Sequence, residues 1–456
     1  MSRLIRSIVL GFTVLFLVVA AYGQALERSE PLPRKPSFGA QLAPATAEEM
    51  KPFGREAKPG LKVVRVLPNQ TAEALSLREG DILLQFDGVE IATVQQLNSR
   101  LRTLESGRPV SASIGRAGQV VGSLGTLRER PRQVEEGLIV DYDQVVSLGK
   151  RIRVISVRPP VTGPFPTVFL IGGIGGYSID GPFSGTPYGN VLGPLARAGY
   201  AIVRLDKPGQ GDSEGPEYPD LDFDTELDAY RQALRLTKAL PYVDPKRLAI
   251  FGHSMGGCFA PELINSESIP AVAVSGTLAK TWTEYQLENT RRQMLLSGAN
   301  AAEVDRQMKQ LAAAAYFLFD QGKSIADIKS STPELTPILN ALSPDGKTMS
   351  GVGIRFFQQL AKKNLAEGWQ EYEGKVLALW GESEFISTRW DHEYIAQIVN
   401  KRRPGQAEFR ALPQSDHGFN LTASTEDSFV KWGRPGATFN PNVIDALKEW
   451  LAKLGS

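Results

Sequence analysis

Cysteine and histidine are almost missing from this chain of 456 residues. A single cysteine, Cys258, excludes a disulfide framework and a cysteine-built metal site. Three histidines, His253, His392 and His417, are all that an imidazole base can be chosen from. An excess of one charge is lacking too. The formal net charge is +1, so neither nucleic acid nor an anionic membrane surface is indicated as a partner. Beyond the N-terminus there is no long apolar run, so no later segment is expected to span a bilayer. What is present, 42% hydrophobic and 22% charged residues, is the make-up of a globular protein with room for two or three domains.

The N-terminus reads as a targeting segment. Arg3 and Arg6 precede an apolar run from Ile8 to Ala21, and Ala21 and Gly23 have the small-residue spacing of a cleavage site. A signal peptide of residues 1–23 is expected, with an uncleaved anchor as the alternative; the run is short for a span. Either way the remainder lies outside the cytoplasm, in the periplasm or secreted. Residues 24–36, with Pro31, Pro33 and Pro36, read as a linker.

A β-rich module is expected over 37–127. Leu61–Val66 is a strand, and Ile82, Leu84 and Phe86 alternate on one face of the next, before a turn at Asp87-Gly88. Val94, Leu97, Leu101 and Leu104 recur at helical spacing. The stretch Gly60–Pro68, followed by Leu77-Arg78-Glu79-Gly80-Asp81-Ile82-Leu83, resembles a bacterial PDZ domain. That resemblance implies a fold that binds an extended peptide or a protein C-terminus by strand addition, with its carboxylate loop near Phe38-Gly39-Ala40-Gln41. A PDZ fold serving only as a spacer is the plainer alternative.

The charged stretch Arg128–Glu136 separates this module from a second domain, 138–456. There, apolar strands at 167–171, 200–205, 247–251, 271–274, 376–379 and 407–412 alternate with helical segments. Continuous apolar strands in that order indicate a mostly parallel α/β sheet covered on both faces. Between about 278 and 372 the alternation gives way to helices, with stripes such as Val304, Met308, Leu311 and Ala315. This reads as a cap over the strand ends.

Gly252-His253-Ser254-Met255-Gly256 directly follows the strand Leu248–Phe251 and directly precedes a segment able to open a helix. In that context Ser254 sits on a tight strand-to-helix turn, exposed above the sheet as a nucleophile. The backbone N–H of Met255, next in the chain, is one oxyanion donor. These features make residues 138–456 resemble the α/β-hydrolase superfamily, especially bacterial esterases whose core is similar to serine aminopeptidases.

The resemblance implies further roles. His417, in the loop after the last strand, is the base. Glu384, in Gly381-x-x-Glu384 where the family usually has aspartate, is the acid; Asp391 and Glu382 remain open alternatives. Ile174, in Gly172-Gly173-Ile174-Gly175-Gly176, supplies the second oxyanion amide. Asp206–Gly215 resembles another family loop and, read by itself, is a surface turn without chemistry. Cys258 reads as a buried small residue, and Trp282, Trp369 and Trp390 as core packing, with lining of an acyl pocket as the alternative. No metal or organic cofactor is implied. The expected reaction is hydrolysis of a small-molecule carboxylic ester, with a peptidase and a non-catalytic PDZ scaffold as the alternatives.

Overall fold

Both faces of the larger sheet are apolar because its strands carry uninterrupted hydrophobic runs. Along Phe165–Ile171, Val168 and Leu170 enter one core while Phe169 and Ile171 enter the other. The computed structural model describes residues 31–455 except Ala57 and Pro435, so the expected signal peptide at 1–23 lies outside the described residues. From Arg34 onward the chain packs as one unit.

The first part of that unit is an antiparallel sheet of β1 (Ala40–Pro44), β2 (Leu61–Val66), β3 (Ile82–Phe86), β4 (Val89–Glu90), β5 (Pro109–Arg116) and β6 (Gln119–Thr126). The order is β1-β2-β3-β5-β6, with β4 on β3. Helix α1 (Val94–Arg102), capped by the Thr93 hydroxyl accepting from Gln96 N–H, buries Leu97 and Leu101 in its core. The expected alternation in β3 needs correction. Ile82 and Leu84 pack together, but Phe86 joins Leu83 in the other cluster. The pairing of β3 with β5 shifts register between Leu83 and Gln85, and such an irregularity reverses the facing of whatever follows.

The second part is an eight-stranded sheet in the order β16-β15-β12-β11-β9-β10-β8-β7. Its strands are β7 (Ile139–Ser147), β8 (Lys150–Arg158), β9 (Phe165–Ile171), β10 (Ala201–Leu205), β11 (Val243–His253), β12 (Ala271–Ser275), β15 (Lys375–Gly381) and β16 (Ala407–Leu412). β7, β8 and β10 pair antiparallel; from β10 through β16 every pairing is parallel. Helices α2 (Pro187–Arg197), α3 (Phe223–Ala239) and α4 (Met255–Ile264) help cover the faces. After β12 the chain runs through helices from Trp282 to Glu371, opening with α5 (Trp282–Leu296) and α6 (Ala301–Ala315) and including a small hairpin, β13 (Thr348–Met349) and β14 (Val352–Gly353). It returns through β15, α7 (Arg389–Arg402), β16 and α8 (Asn442–Ala452).

Both the stretch expected to separate the modules and the loop expected to be a surface turn hold buried polar side chains. In the Arg128–Glu136 segment, Gln133 and Glu135 are buried, and the Glu135 carboxylate accepts from Phe183 N–H. In the 206–215 loop, Asp206, Lys207, Gln210 and Asp212 are all buried. Among the described residues no helix is long and apolar enough to cross a membrane.

Candidate active site

Strand order brings distant loops together. The carboxyl ends of β9, β11, β12, β15 and β16 are neighbours, and the loops that follow them carry Ile174, Ser254, Gly276, Glu384 and His417. Ser254 stands between β11 and α4 with φ 56° and ψ −124°, a left-handed conformation that costs a non-glycine residue on the order of 1–3 kcal/mol. The turn closes only because position 256 has no side chain: a Cβ on Gly256 would sit 2.0 Å from the Ile171 carbonyl oxygen. Gly276 plays a comparable part, since a Cβ there would lie 2.7 Å from His417 Cε1.

The structure brings Ser254, His417 and Glu384 into one chain. Ser254 Oγ is 2.9 Å from His417 Nε2, and His417 Nδ1 is 2.6 Å from Glu384 Oε1. That carboxylate oxygen also accepts from the backbone N–H and the hydroxyl of Ser387. Burial pushes the Glu384 carboxyl up, but the charge and hydrogen bond of His417, with help from His392 and Ser387, prevail and hold it at about 2. The group stays ionised, as an imidazole-orienting acid must.

The alternatives lie elsewhere. Asp391 is buried in the capping box of α7, where it accepts from Thr388 and pairs with Lys280 at 3.0 Å. Glu382 is exposed. His392 is buried, with Nδ1 bonded to the Thr388 carbonyl and Nε2 accepting from Thr277 N–H. His253 points away from the Ser254 hydroxyl: its Nδ1 meets Tyr188 Oη at 2.9 Å and its Nε2 meets the His417 carbonyl at 2.8 Å. Burial, then repulsion from His417, pushes the His253 pKa down to about 3, so this ring is neutral. The Cys258 thiol is buried and pushed up to about 12, which removes it as a nucleophile.

Ile174 and Met255 border the same cavity as Ser254. Met255 is the first residue of α4, where N–H groups have no partner within the helix. The flanks of Ile174 are committed: Gly173 N–H donates to Tyr188 Oη and Gly175 N–H to Tyr218 Oη, both at 2.6 Å. Among the described residues, the Ile174 N–H between them has no acceptor. Lys207 secures the loop from below, donating to the Gly173 carbonyl at 2.6 Å and pairing with Glu226 at 2.9 Å. Burial alone would lower the lysine pKa, yet Glu226 raises it, so the ammonium persists. Sequence reasoning missed Tyr188, Tyr218 and Lys207. The last belongs to the loop taken for a surface turn, and a lysine next to the buried strand end Leu205-Asp206 was the available signal.

The cavity in front of Ser254 has a volume of ≈ 780 Å³. It is lined by Trp282, Tyr285 and Phe357 from the helical cap and by Phe385, Phe429 and Trp432. Trp282 therefore lines the cavity while stacking on Phe357, and Trp369 is the core residue expected. Trp390 departs from expectation: it is exposed and stacks on Tyr394.

A model of the alpha/beta hydrolase family matches residues 168–430, more than half of the chain, with Ile174, Ser254, Glu384 and His417 among them. The chain belongs to the alpha/beta hydrolase family. The chain is similar to curated esterases: Esterase FrsA of Enterobacter sp. is 34% identical over 120 residues, 26% of this chain and 27% of that protein. Esterase FrsA of Klebsiella pneumoniae is 34% identical over 150 residues, 32% and 34% of the two chains. A probable periplasmic serine endoprotease, DegP-like, of Marinomonas sp. is 31% identical over 94 residues, 21% of this chain and 20% of that one. The chain thus spans about a third or less of the length of the curated relatives it matches.

Proposed function

We propose that this hydrolase cleaves carboxylic esters through an acyl-enzyme on Ser254. The observation that carries the reading is the unbroken chain Ser254 Oγ–His417 Nε2 and His417 Nδ1–Glu384 Oε1, at 2.9 and 2.6 Å. Ser254 Oγ attacks the ester carbonyl carbon while His417 Nε2 takes its proton. The carbonyl oxygen becomes an oxyanion facing the N–H groups of Met255 and Ile174. As the C–O bond to the alcohol breaks, His417 returns the proton to the leaving oxygen. Water, deprotonated by His417, then attacks the acyl-serine and frees the acid and Ser254. Glu384 holds the imidazole tautomer and stabilises its cation throughout. The similarity to FrsA esterases supports an ester rather than an amide as substrate, and the aromatic cavity suits an apolar group on it.

The β-rich module over 37–127 is, on this reading, a PDZ domain that takes an extended peptide. The apolar N-terminal run directs the protein to the periplasm or outside the cell. The test is a panel of p-nitrophenyl esters set against aminoacyl-p-nitroanilides, with wild type and Ser254→Ala. Ester turnover and fluorophosphonate labelling are expected to fall by about 10⁴-fold or more in the folded variant. Comparable activity in Ser254→Ala, or preferential cleavage of the anilides, overturns the reading.

A further inference from the structure

One buried cation has no part in the acyl-enzyme steps. Lys207 stands two residues past the end of β10 and is 5% exposed. Its ammonium lies 2.9 Å from the Glu226 carboxylate of α3 and 5.9 Å from the centre of the Tyr218 ring. A buried ion pair is by itself a weak source of stability, so what else the lysine touches matters. It donates to one backbone group, the Gly173 carbonyl, at 2.6 Å.

That carbonyl shares a peptide unit with the Ile174 N–H. The unit is planar and trans, so its C=O and N–H point in opposite directions. A carbonyl drawn toward Lys207 therefore turns the Ile174 N–H away from the lysine. Gly173 itself touches the nucleophile: a Cβ on it would lie 3.0 Å from Ser254 Cβ and 3.4 Å from Ser254 Oγ. The N–H next to it has no acceptor in the protein, and Ile174 borders the cavity in front of Ser254. With no side chain at 173, sterics resist rotation of this peptide only weakly. Rotated by half a turn, it would present a carbonyl oxygen where the oxyanion forms and oppose the transition state. The neighbouring units are held as well: Tyr188 fixes the Gly173 N–H on one side and Tyr218 the Gly175 N–H on the other. Three consecutive peptide units are thus each tied by one side chain, and the middle one, which carries the oxyanion donor, by Lys207.

We propose that Lys207 is a positioning residue of the oxyanion hole: its ammonium, held in place by Glu226, pins the Gly173 carbonyl and so keeps the Ile174 N–H aimed at the oxygen of the reacting ester. This rests on the esterase reading and adds to it that the loop after β10 acts in catalysis through the backbone of the loop after β9.

Lys207→Met keeps most of the stem and removes the ammonium, but it strands the Glu226 carboxylate in the interior, so Lys207→Met/Glu226→Gln is made beside it. Turnover of p-nitrophenyl butyrate by the full chain is measured per active site, counted from the end point of fluorophosphonate labelling. Both variants are expected to lose about 10²–10³ in kcat, the effect of losing one oxyanion donor, with KM within about threefold of wild type. An alkyl trifluoromethyl ketone reads the oxyanion hole directly. Ser254 Oγ bonds to the ketone carbon, the serine proton passes to His417 and the carbonyl π pair becomes an oxyanion. The ketone should bind the variants more weakly by a similar factor, whereas the corresponding alcohol, which forms no adduct, should bind them as it binds wild type. The double variant should withstand more urea than the single one, yet the two should share one kcat; a lysine that only stabilised the fold would leave kcat per active site unchanged in both. A double variant with kcat within about threefold of wild type, or one that loses ketone and alcohol equally, overturns the proposal. Wild type separates the two readings. Absence of ester turnover there sinks the esterase assignment, whereas normal wild-type turnover with an unimpaired double variant sinks only the role of Lys207.

Discussion

At the scale of residues, Glu384 and the carboxylates that the sequence kept open beside it now separate. Glu384 touches His417; Asp391 caps α7 and faces Lys280. Glu384→Gln is expected to lower kcat by up to about 10⁴-fold, since the amide misorients the imidazole. Asp391→Asn should keep kcat within a few-fold but lower stability by roughly 1–2 kcal/mol, through a weakened cap and a less well paired buried lysine. Steady-state kinetics and urea unfolding on both variants check the split. The reverse pattern would move the acid to Asp391. His253 makes a second prediction. Its pKa is near 3 folded and about 6.5 unfolded, so between those values the unfolded chain binds the extra proton. Stability contributed by neutral His253 is therefore whole above pH 6.5 and is lost as pH falls toward 3. His253→Gln should flatten the fall in unfolding free energy between pH 6 and 4 by roughly 1.4 kcal/mol per pH unit. An unchanged slope means that His253 does not titrate on unfolding. Ser254 and Met255 were proposed from a motif that marks the turn after a strand locally, and His417 from the position that the family resemblance implies. Tyr188 was not, because nothing in Pro187-Tyr188-Gly189 indicates that its hydroxyl meets a glycine amide 15 residues back.

At the scale of elements, the strands were legible because burial on both faces leaves unbroken apolar runs. The irregularity in β3 was not, because a register shift is a property of the pair β3–β5 and not of either strand. The cap was legible as helices over the strand ends, but its hold on the loop of Glu384 was not. Helix α5 supplies that hold: Arg292 donates from Nε to the Phe385 carbonyl and from Nη2 to the Ile386 carbonyl, gripping the loop next to Glu384. Arg292→Met keeps most of the stem's packing and removes both bonds. It should lower kcat by about 10-fold to 100-fold, as small misplacements of catalytic groups do, while a general loss of stability alone would leave kcat per folded molecule unchanged. Stopped-flow acylation with p-nitrophenyl acetate, normalised by active-site titration, reads this directly.

At the scale of the whole molecule, the two sheets are expected not to behave as a catalytic domain with a detachable module. Sequence suggested a break at 128–136 because charge and proline usually mark solvated linkers. Here backbone carbonyls of that stretch are held by a buried ion cluster around Arg34. Arg34 pairs with Asp180 at 2.6 Å and with Asp212 at 2.5 Å, all three side chains buried, and its remaining nitrogens donate to the carbonyls of Arg130 and Pro131. Asp212 belongs to the loop whose Lys207 holds Gly173, so the N-terminal segment is tied to the oxyanion loop through two buried ions. Removing one partner of such a pair strands a charge and costs about 3–5 kcal/mol, whereas removing both costs less than the sum. Arg34→Gln and Asp212→Asn should each lower the unfolding free energy strongly, Asp212→Asn somewhat less because Asp180 still faces Arg34. The double variant should be more stable than additivity allows by at least about 1.5 kcal/mol. A truncation beginning near Ile139, although it keeps every catalytic residue, should then unfold at lower temperature and turn over esters poorly. Additive single effects, or a truncation as stable and active as the full chain, would return the N-terminal region to the status of a separate module.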